Sequence, residues 1–300
     1  MRVTNKMLVT DSLSSLNRGL EHLKYLSHRL AAGKKLLVPS DDPIGTGNVM
    51  RMYKGLEETR QYVSNADYGI GMMLSADGAL TDMTEILQRA RELAVYGANG
   101  TQPEDSLMAL AEEINQLVDH AVQVANSTYT DSYIFGGQET TKPPYESILV
   151  DGKIDAVGDY QGSDGPMSAE IGPGSRMDIN VPGNVVFEKA FEVLISLRKR
   201  LEGEDGGPGS ISEESVGALD DALSGVLRFQ AEIGAKSKRL EVTKSRLEGL
   251  DINLQTLISK TEDIDVAQAI MEYKMQENAY RLALDTTARI IQPTLMDFLR

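Results

Sequence analysis

Apolar residues recur along this chain at alternating steps of three and four, and the longest such run lies toward its end. Stepping from Leu219 meets Ala222, Val226, Phe229, Ile233, Lys236, Leu240, Thr243, Leu247, Leu250, Leu254, Leu257, Thr261 and Ile264, and eleven of these fourteen positions are apolar. The same stepping near the beginning meets Leu13, Leu16, Leu20, Leu23, Ser27 and Leu30. A period of 3.5 residues lays down a narrow apolar seam, which needs another helix to cover it. Both ends of the polypeptide are therefore expected to be zipped together, to each other or to further copies.

The pattern predicts a first helix over residues 5–32, stopped by Gly33. Pro43 fits the first position of a second helix and Asp42 its N-cap, where a carboxylate satisfies free amides and complements the helix dipole. That helix runs to Tyr96. Its distal half carries a seam of Met73, Ala76, Leu80, Met83, Leu87, Ala90 and Ala94, and its proximal half is interrupted at Thr59. Gly97 and Gly100 end it. Pro103 opens a third helix with Leu107, Leu110, Ile114, Leu117, Ala121 and Val124 in register, and so short a connection makes the two an antiparallel hairpin.

The texture changes after Phe135. Residues 136–184 hold nine of the 27 glycines and five of the ten prolines, with short alternating pieces between turn signals. Ile148-Leu149-Val150 before Asp151-Gly152 reads as a hairpin, and Asp178-Ile179-Asn180-Val181 as a half-buried strand. A fourth helix is expected over 185–201, followed by a flexible break from Gly203 to Ser210. The last helices run from Ser212 to Gln292, where Pro293 stops them. The seam from 219 to 264 alone would extend about 70 Å.

Charge and composition narrow the function. Formal net charge is −15, yet residues 1–38 hold seven Lys/Arg against two Asp/Glu. An acidic chain is a poor partner for nucleic acid, which needs a basic stripe. The basic first helix is better paired with the last fifty residues, which carry eight acidic and five basic groups. Aromatic residues are few and cysteine is absent, so disulfides and thiolate metal sites are excluded. No run reaches the length of a membrane span, and the first residues have no apolar stretch of signal-peptide type.

A search for catalytic chemistry finds no site, so no enzyme, cofactor or metal is expected. His22 and His28 are six apart on a helix and face different ways, and His120 stands alone. Asp41-Asp42 with Gly45 and Gly47 lacks the pattern of a phosphate or calcium loop. Glu112-Glu113 and Glu213-Glu214 are adjacent on helices and diverge by about 100°.

Several motifs resemble a known family. Met1-Arg2-Val3-Thr4-Asn5, Leu30-Ala31-Ala32-Gly33-Lys34-Lys35, Arg91-Glu92-Leu93-Ala94 and Ala98-Asn99-Gly100-Thr101 are similar to the N-terminal region of bacterial flagellins. Asp265-Val266-Ala267 through Tyr273, Gln276, Ala279-Tyr280 and Ala283-Leu284 to Leu295-Met296-Asp297-Phe298-Leu299 is similar to their C-terminal region. Pro39-Ser40-Asp41-Asp42-Pro43-Ile44-Gly45 and Tyr133-Ile134-Phe135-Gly136-Gly137 resemble the hook–filament junction branch of that superfamily more than flagellin proper. The resemblance covers roughly residues 1–137 and 210–300. It implies a mainly α, elongated flagellin-like rod of coiled coil and helical bundle with a small β-rich insert. It also implies an extracellular flagellar component exported by the flagellar type III apparatus, which assembles with itself as a ring between the preceding hook-associated protein and flagellin. An export chaperone would hold the C-terminal helix.

On this basis residues 1–40 with 265–300 are expected to form the terminal coiled coil, 41–137 with 185–264 the helical bundle, and 138–184 the outer domain. Leu13, Leu16, Leu20, Leu23, Leu254, Leu257, Ile264, Met271 and Leu282 are the expected assembly contacts, and Asp42 and Pro43 the cap. Two other functions fit the same seams: a minor flagellin, or a surface coiled-coil adhesin whose β insert is the binding tip.

Overall fold

The computed structural model describes residues 5–98, 103–150, 153–203 and 213–298. Six helices lie among them: α1 (Asn5–Ala32), α2 (Pro43–Gly97), α3 (Glu104–Ala125), α4 (Gly183–Glu202), α5 (Glu213–Glu262) and α6 (Val266–Phe298). Between α3 and α4 lie three antiparallel strand pairs: β1 (Thr128–Tyr129) with β2 (Ser132–Tyr133), β3 (Ser147–Val150) with β4 (Lys153–Val157), and β5 (Ser168–Gly172) with β6 (Ser175–Asp178). The architecture is mainly α with a small strand-containing insert. The Asp151-Gly152 turn, Gly100 and the break at 204–210 lie outside the described residues, as do Met1–Thr4.

Two compact units are present, one of Met1–Glu58 with Leu250–Arg300 and one of Thr59–Gly249, so α2 and α5 each contribute to both. In the second unit α2 and α5 run antiparallel. Arg91 pairs with Asp220 (2.6 Å), Thr81 accepts from Gln230 (3.0 Å), and Asp67 pairs with Lys244 (2.7 Å). The links step ten and then fourteen residues along both helices in opposite directions, a heptad plus three and then two heptads, so one face of each helix meets one face of the other. Arg89 reaches Glu113 at 2.6 Å, which joins α2 to α3.

Helix α3 buries Leu107, Ala111, Ile114, Val118 and Ala121, leaving Leu110 and Leu117 half-buried. The buried stripe is broader than a 3.5-residue seam because α3 meets both α2 and α4. Thr59, read as an interruption of the α2 pattern, is itself buried.

The insert is tied to the bundle by aromatic packing. Phe135 meets Phe187 edge-on at 4.7 Å, and Tyr145 meets Phe191 at 5.0 Å. Full burial of a side chain such as Phe187 contributes about 2–3 kcal/mol. The Phe135-Gly136-Gly137 step has a steric reason. Gly137 has φ +69°, and a Cβ there would overlap the carbonyl oxygen of Ser163, while one on Gly136 would overlap that of Glu139. Only glycine admits such an approach.

Three expectations need correction. The strand expected at Asp178–Val181 ends at Asp178, and Ile179, Asn180 and Val181 are all buried without alternation. Asn180 spends its amide locally, accepting from Met167 N–H (2.8 Å) and donating to the Gly165 carbonyl (3.1 Å), so this segment closes a loop instead of extending a ladder. Helix α6 continues through Pro293 to Phe298. A proline removes one i→i−4 hydrogen bond, a local cost that does not compel a helix to stop. Ile264, the last position of the long seam, lies between α5 and α6. The Asp265 carboxylate accepts from Ala267 and Gln268 N–H (3.0 and 3.1 Å) and starts a new helix there.

Candidate assembly interface

The first unit is organised by a helix pair. α1 and α6 pack along their length, with Gly19 as a point of close approach: a Cβ there would lie 3.3 Å from the Tyr280 ring. α1 ends at Gly33 (φ +68°), and the chain then makes a short antiparallel bridge across the α5–α6 break. Lys35 N–H donates to the Glu262 carbonyl (2.7 Å) and Ile264 N–H to that of Gly33 (3.1 Å).

At this crossing a buried carboxylate holds two partners. Glu262 accepts from Lys34 Nζ at 2.6 Å and from the Tyr53 hydroxyl at 2.8 Å. It thereby ties the turn after α1 and the first part of α2 to the end of α5. The hydrogen bond to Glu262 raises Lys34 above the usual lysine range and does the same for the Tyr53 phenol, with burial adding to the latter. Nothing in the sequence marks Glu262 among the other acidic residues of α5. Its position beside the helix break and the adjacent basic pair Lys34-Lys35 is the only hint.

The Pro39–Gly45 motif is likewise a set of backbone contacts. Asp41 Oδ2 accepts from Leu37 and Val38 N–H (3.1 and 3.2 Å). Asp42 Oδ1 accepts from Ile44 and Gly45 N–H (3.1 and 2.9 Å) at the first turn of α2, which begins at Pro43. A Cβ on Gly45 would overlap the Asp42 carboxylate, so glycine is what lets that carboxylate sit over the free amides. On α6, Glu277 is lowered from its ordinary carboxylate value, chiefly through its hydrogen bond from Lys274, with Arg281 adding to it.

The nine expected contact residues divide. Leu16 is buried, and Leu20, Leu23, Leu254 and Ile264 are half-buried. Leu254 lies against Gly55 of α2. Leu13 (49 % exposed), Leu257 (48 %), Met271 (60 %) and Leu282 (66 %) face outward. The structure adds neighbours that the seam count missed. Met275 joins Met271 and Leu282 in one stripe on α6, and Ile270 lies beside them. Steps of four and seven residues on one helix put these side chains on one face, a signal legible in the sequence. Ile44, Met50 and Ile252 are also exposed. On α6, Met271, Met275 and Leu282 form an exposed apolar stripe that makes this helix the candidate interface. Among the described residues no group of metal-ligating side chains forms a metal site, and no helix is long and apolar enough to cross a membrane.

Comparison with known proteins identifies the family. Residues 3–140 match the bacterial flagellin N-terminal helical region and residues 216–299 the bacterial flagellin C-terminal helical region. The chain belongs to the flagellin family. It is 23% identical to flagellar hook-associated protein 3 of Salmonella typhimurium over 95% of this chain and 96% of that one. It is 27% identical to a flagellin of Halalkalibacterium halodurans over 86% and 83% respectively. The crystal structure of the flagellar junction protein FlgL from Legionella pneumophila superposes with a TM-score of 0.54 at 12% identity, covering 65% of this chain and 99% of that one. The last likeness is one of fold.

Proposed function

We propose that this chain is a structural subunit of the bacterial flagellum that forms the adaptor between hook and filament. The observation that carries the proposal is the outward apolar stripe of Met271, Met275 and Leu282 on α6, accompanied by Leu13 on α1. Covering such a stripe with another molecule removes apolar surface from water and favours association. Packing of one surface against a different surface on the next subunit would arrange copies about an axis as a ring. In this reading Leu13, Leu257, Met271 and Leu282 make contacts between subunits. Leu16, Leu20, Leu23, Leu254 and Ile264 hold the terminal helices in the form that presents them, and the Asp42–Pro43 cap fixes the start of α2.

The same reading gives residues 1–40 with 265–300 the role of an inner coiled coil, 41–137 with 185–264 that of a middle bundle, and 138–184 that of an outer domain. Hook-associated protein on one side and flagellin on the other are the partners it requires. Before export a chaperone would cover the C-terminal helix, whose exposed stripe needs shielding in the cytoplasm. Coverage of 95% and 96% with a hook-associated protein supports the adaptor over a minor flagellin or an adhesin. The test is a strain lacking the gene, examined by electron microscopy. Hooks without filaments, and flagellin shed to the medium, are expected. Filaments growing normally on hooks would rule the role out.

A further inference from the structure

The second unit holds a cleft of about 620 Å³ between the segment at 155–160 and helix α4, a volume within the usual range for small-molecule sites. Tyr145, Tyr160 and Phe191 line it with rings, Tyr145 standing 5.5 Å from Tyr160 and 5.0 Å from Phe191 between centroids. Four carboxylates line it as well. Asp155 is engaged by Lys199 at 2.9 Å, which leaves Asp159, Glu188 and Glu192 with no ion-pair partner among the described residues.

One further group is unaccounted for. Tyr145 is 4% exposed, and its buried hydroxyl has no hydrogen-bond partner. Its neighbour Tyr160 is satisfied, donating to the Phe135 carbonyl at 2.8 Å. An orphaned buried hydroxyl is costly and calls for a partner. Burial, and after it Tyr160 and Glu188, raises the Tyr145 phenol above its usual range, so the group stays neutral and its oxygen can accept an N–H.

A half-buried ring, unpaired carboxylates and a neutral acceptor share one complement. We propose that this cleft binds an organic cation, an ammonium or guanidinium group on a short alkyl chain. The half-buried Tyr160 ring would take the alkyl chain and the cation, Glu188 and Glu192 the charge, and the Tyr145 oxygen one N–H. The inference stands apart from the assembly role, since every residue in it lies in the second unit.

The test is titration of the full chain with n-butylammonium chloride, followed by amide chemical shifts of residues 155–160, against sodium chloride at equal ionic strength. A saturable shift absent with sodium is expected. Glu188→Gln with Glu192→Gln, both exposed positions, should weaken it about tenfold or more, and Tyr145→Phe by a smaller factor of about two to five. Nα-acetyl-lysine methylamide is the second probe. Saturation by both probes identifies a site open to a lysine side chain of another protein, and saturation by butylammonium alone a site for a free amine. Shifts that match those of sodium, or an affinity unchanged in the double variant at an unchanged melting temperature, would overturn the proposal.

Discussion

The two units are built from the same kind of helix and treat their apolar residues differently. Among the described residues, six of the 49 buried hydrophobic side chains belong to the unit of residues 1–58 and 250–300, and the other 43 to the unit of residues 59–249. Of 25 large exposed hydrophobics, sixteen are in the first unit. The second unit satisfies its seams internally, with α3, α4 and the insert supplying what α2 and α5 cannot. The first unit has α1, α6 and the ends of α2 and α5, with no third layer among the described residues like α3, α4 or the insert to cover their outer faces. Periodicity is thus no guide to where a seam finds its cover, and the number of helices locally available decides it.

That contrast can be broken by measurement. Phe187→Ala empties a fully buried position and should cost about 3–5 kcal/mol in a denaturant melt. Glu262→Ala leaves Lys34 and Tyr53 without their acceptor and should cost about 1–3 kcal/mol, with faster amide exchange at 33–35 and 262–264. This loss depends on pH. Lys34 and Tyr53 are both raised from ordinary values of 10.5 and 10.0, so their contribution is complete below those values and disappears as pH climbs through the raised ones. The stability gap between Glu262→Ala and the unaltered chain should therefore narrow in urea melts taken above about pH 11 compared with about pH 9. Smallest of all, Leu282→Ser should change the melt of the isolated chain by less than about 0.5 kcal/mol, yet reduce incorporation into flagella. A destabilisation as large as that of Phe187→Ala would show that Leu282 is already covered within the chain, and would erase the contrast.

Leu13 and Leu16 show what could be read in advance. Both sit on one heptad seam, and both were legible as contact positions. Leu16 is buried against the chain's own helices and Leu13 is left outside, because a seam specifies that a partner exists and not which one. Helix existence was equally legible, from α1 to α4, since periodicity and the glycine and proline signals at the helix ends agree there. The ends were harder. Pro293 removes a single hydrogen bond and leaves the helix running, while the Asp265 carboxylate ends the long seam at a residue that periodicity counts as its continuation. Ile179–Val181 looks like a strand in alternation and is a wholly buried loop, held by an amide whose partners lie thirteen and fifteen residues away. Glu262 was not legible, since its two partners come from positions 34 and 53.

The links at 91 with 220, 81 with 230 and 67 with 244 keep one antiparallel register, which makes this stretch of α2 and α5 modular. Adding seven residues to both helices at facing positions would lengthen the pair by about 10 Å and keep every link. Adding seven to α2 alone would bring Arg91 opposite the wrong turn of α5. Evolution can therefore alter the reach of this part of the molecule only by matched insertions or deletions, made in two places far apart in the gene.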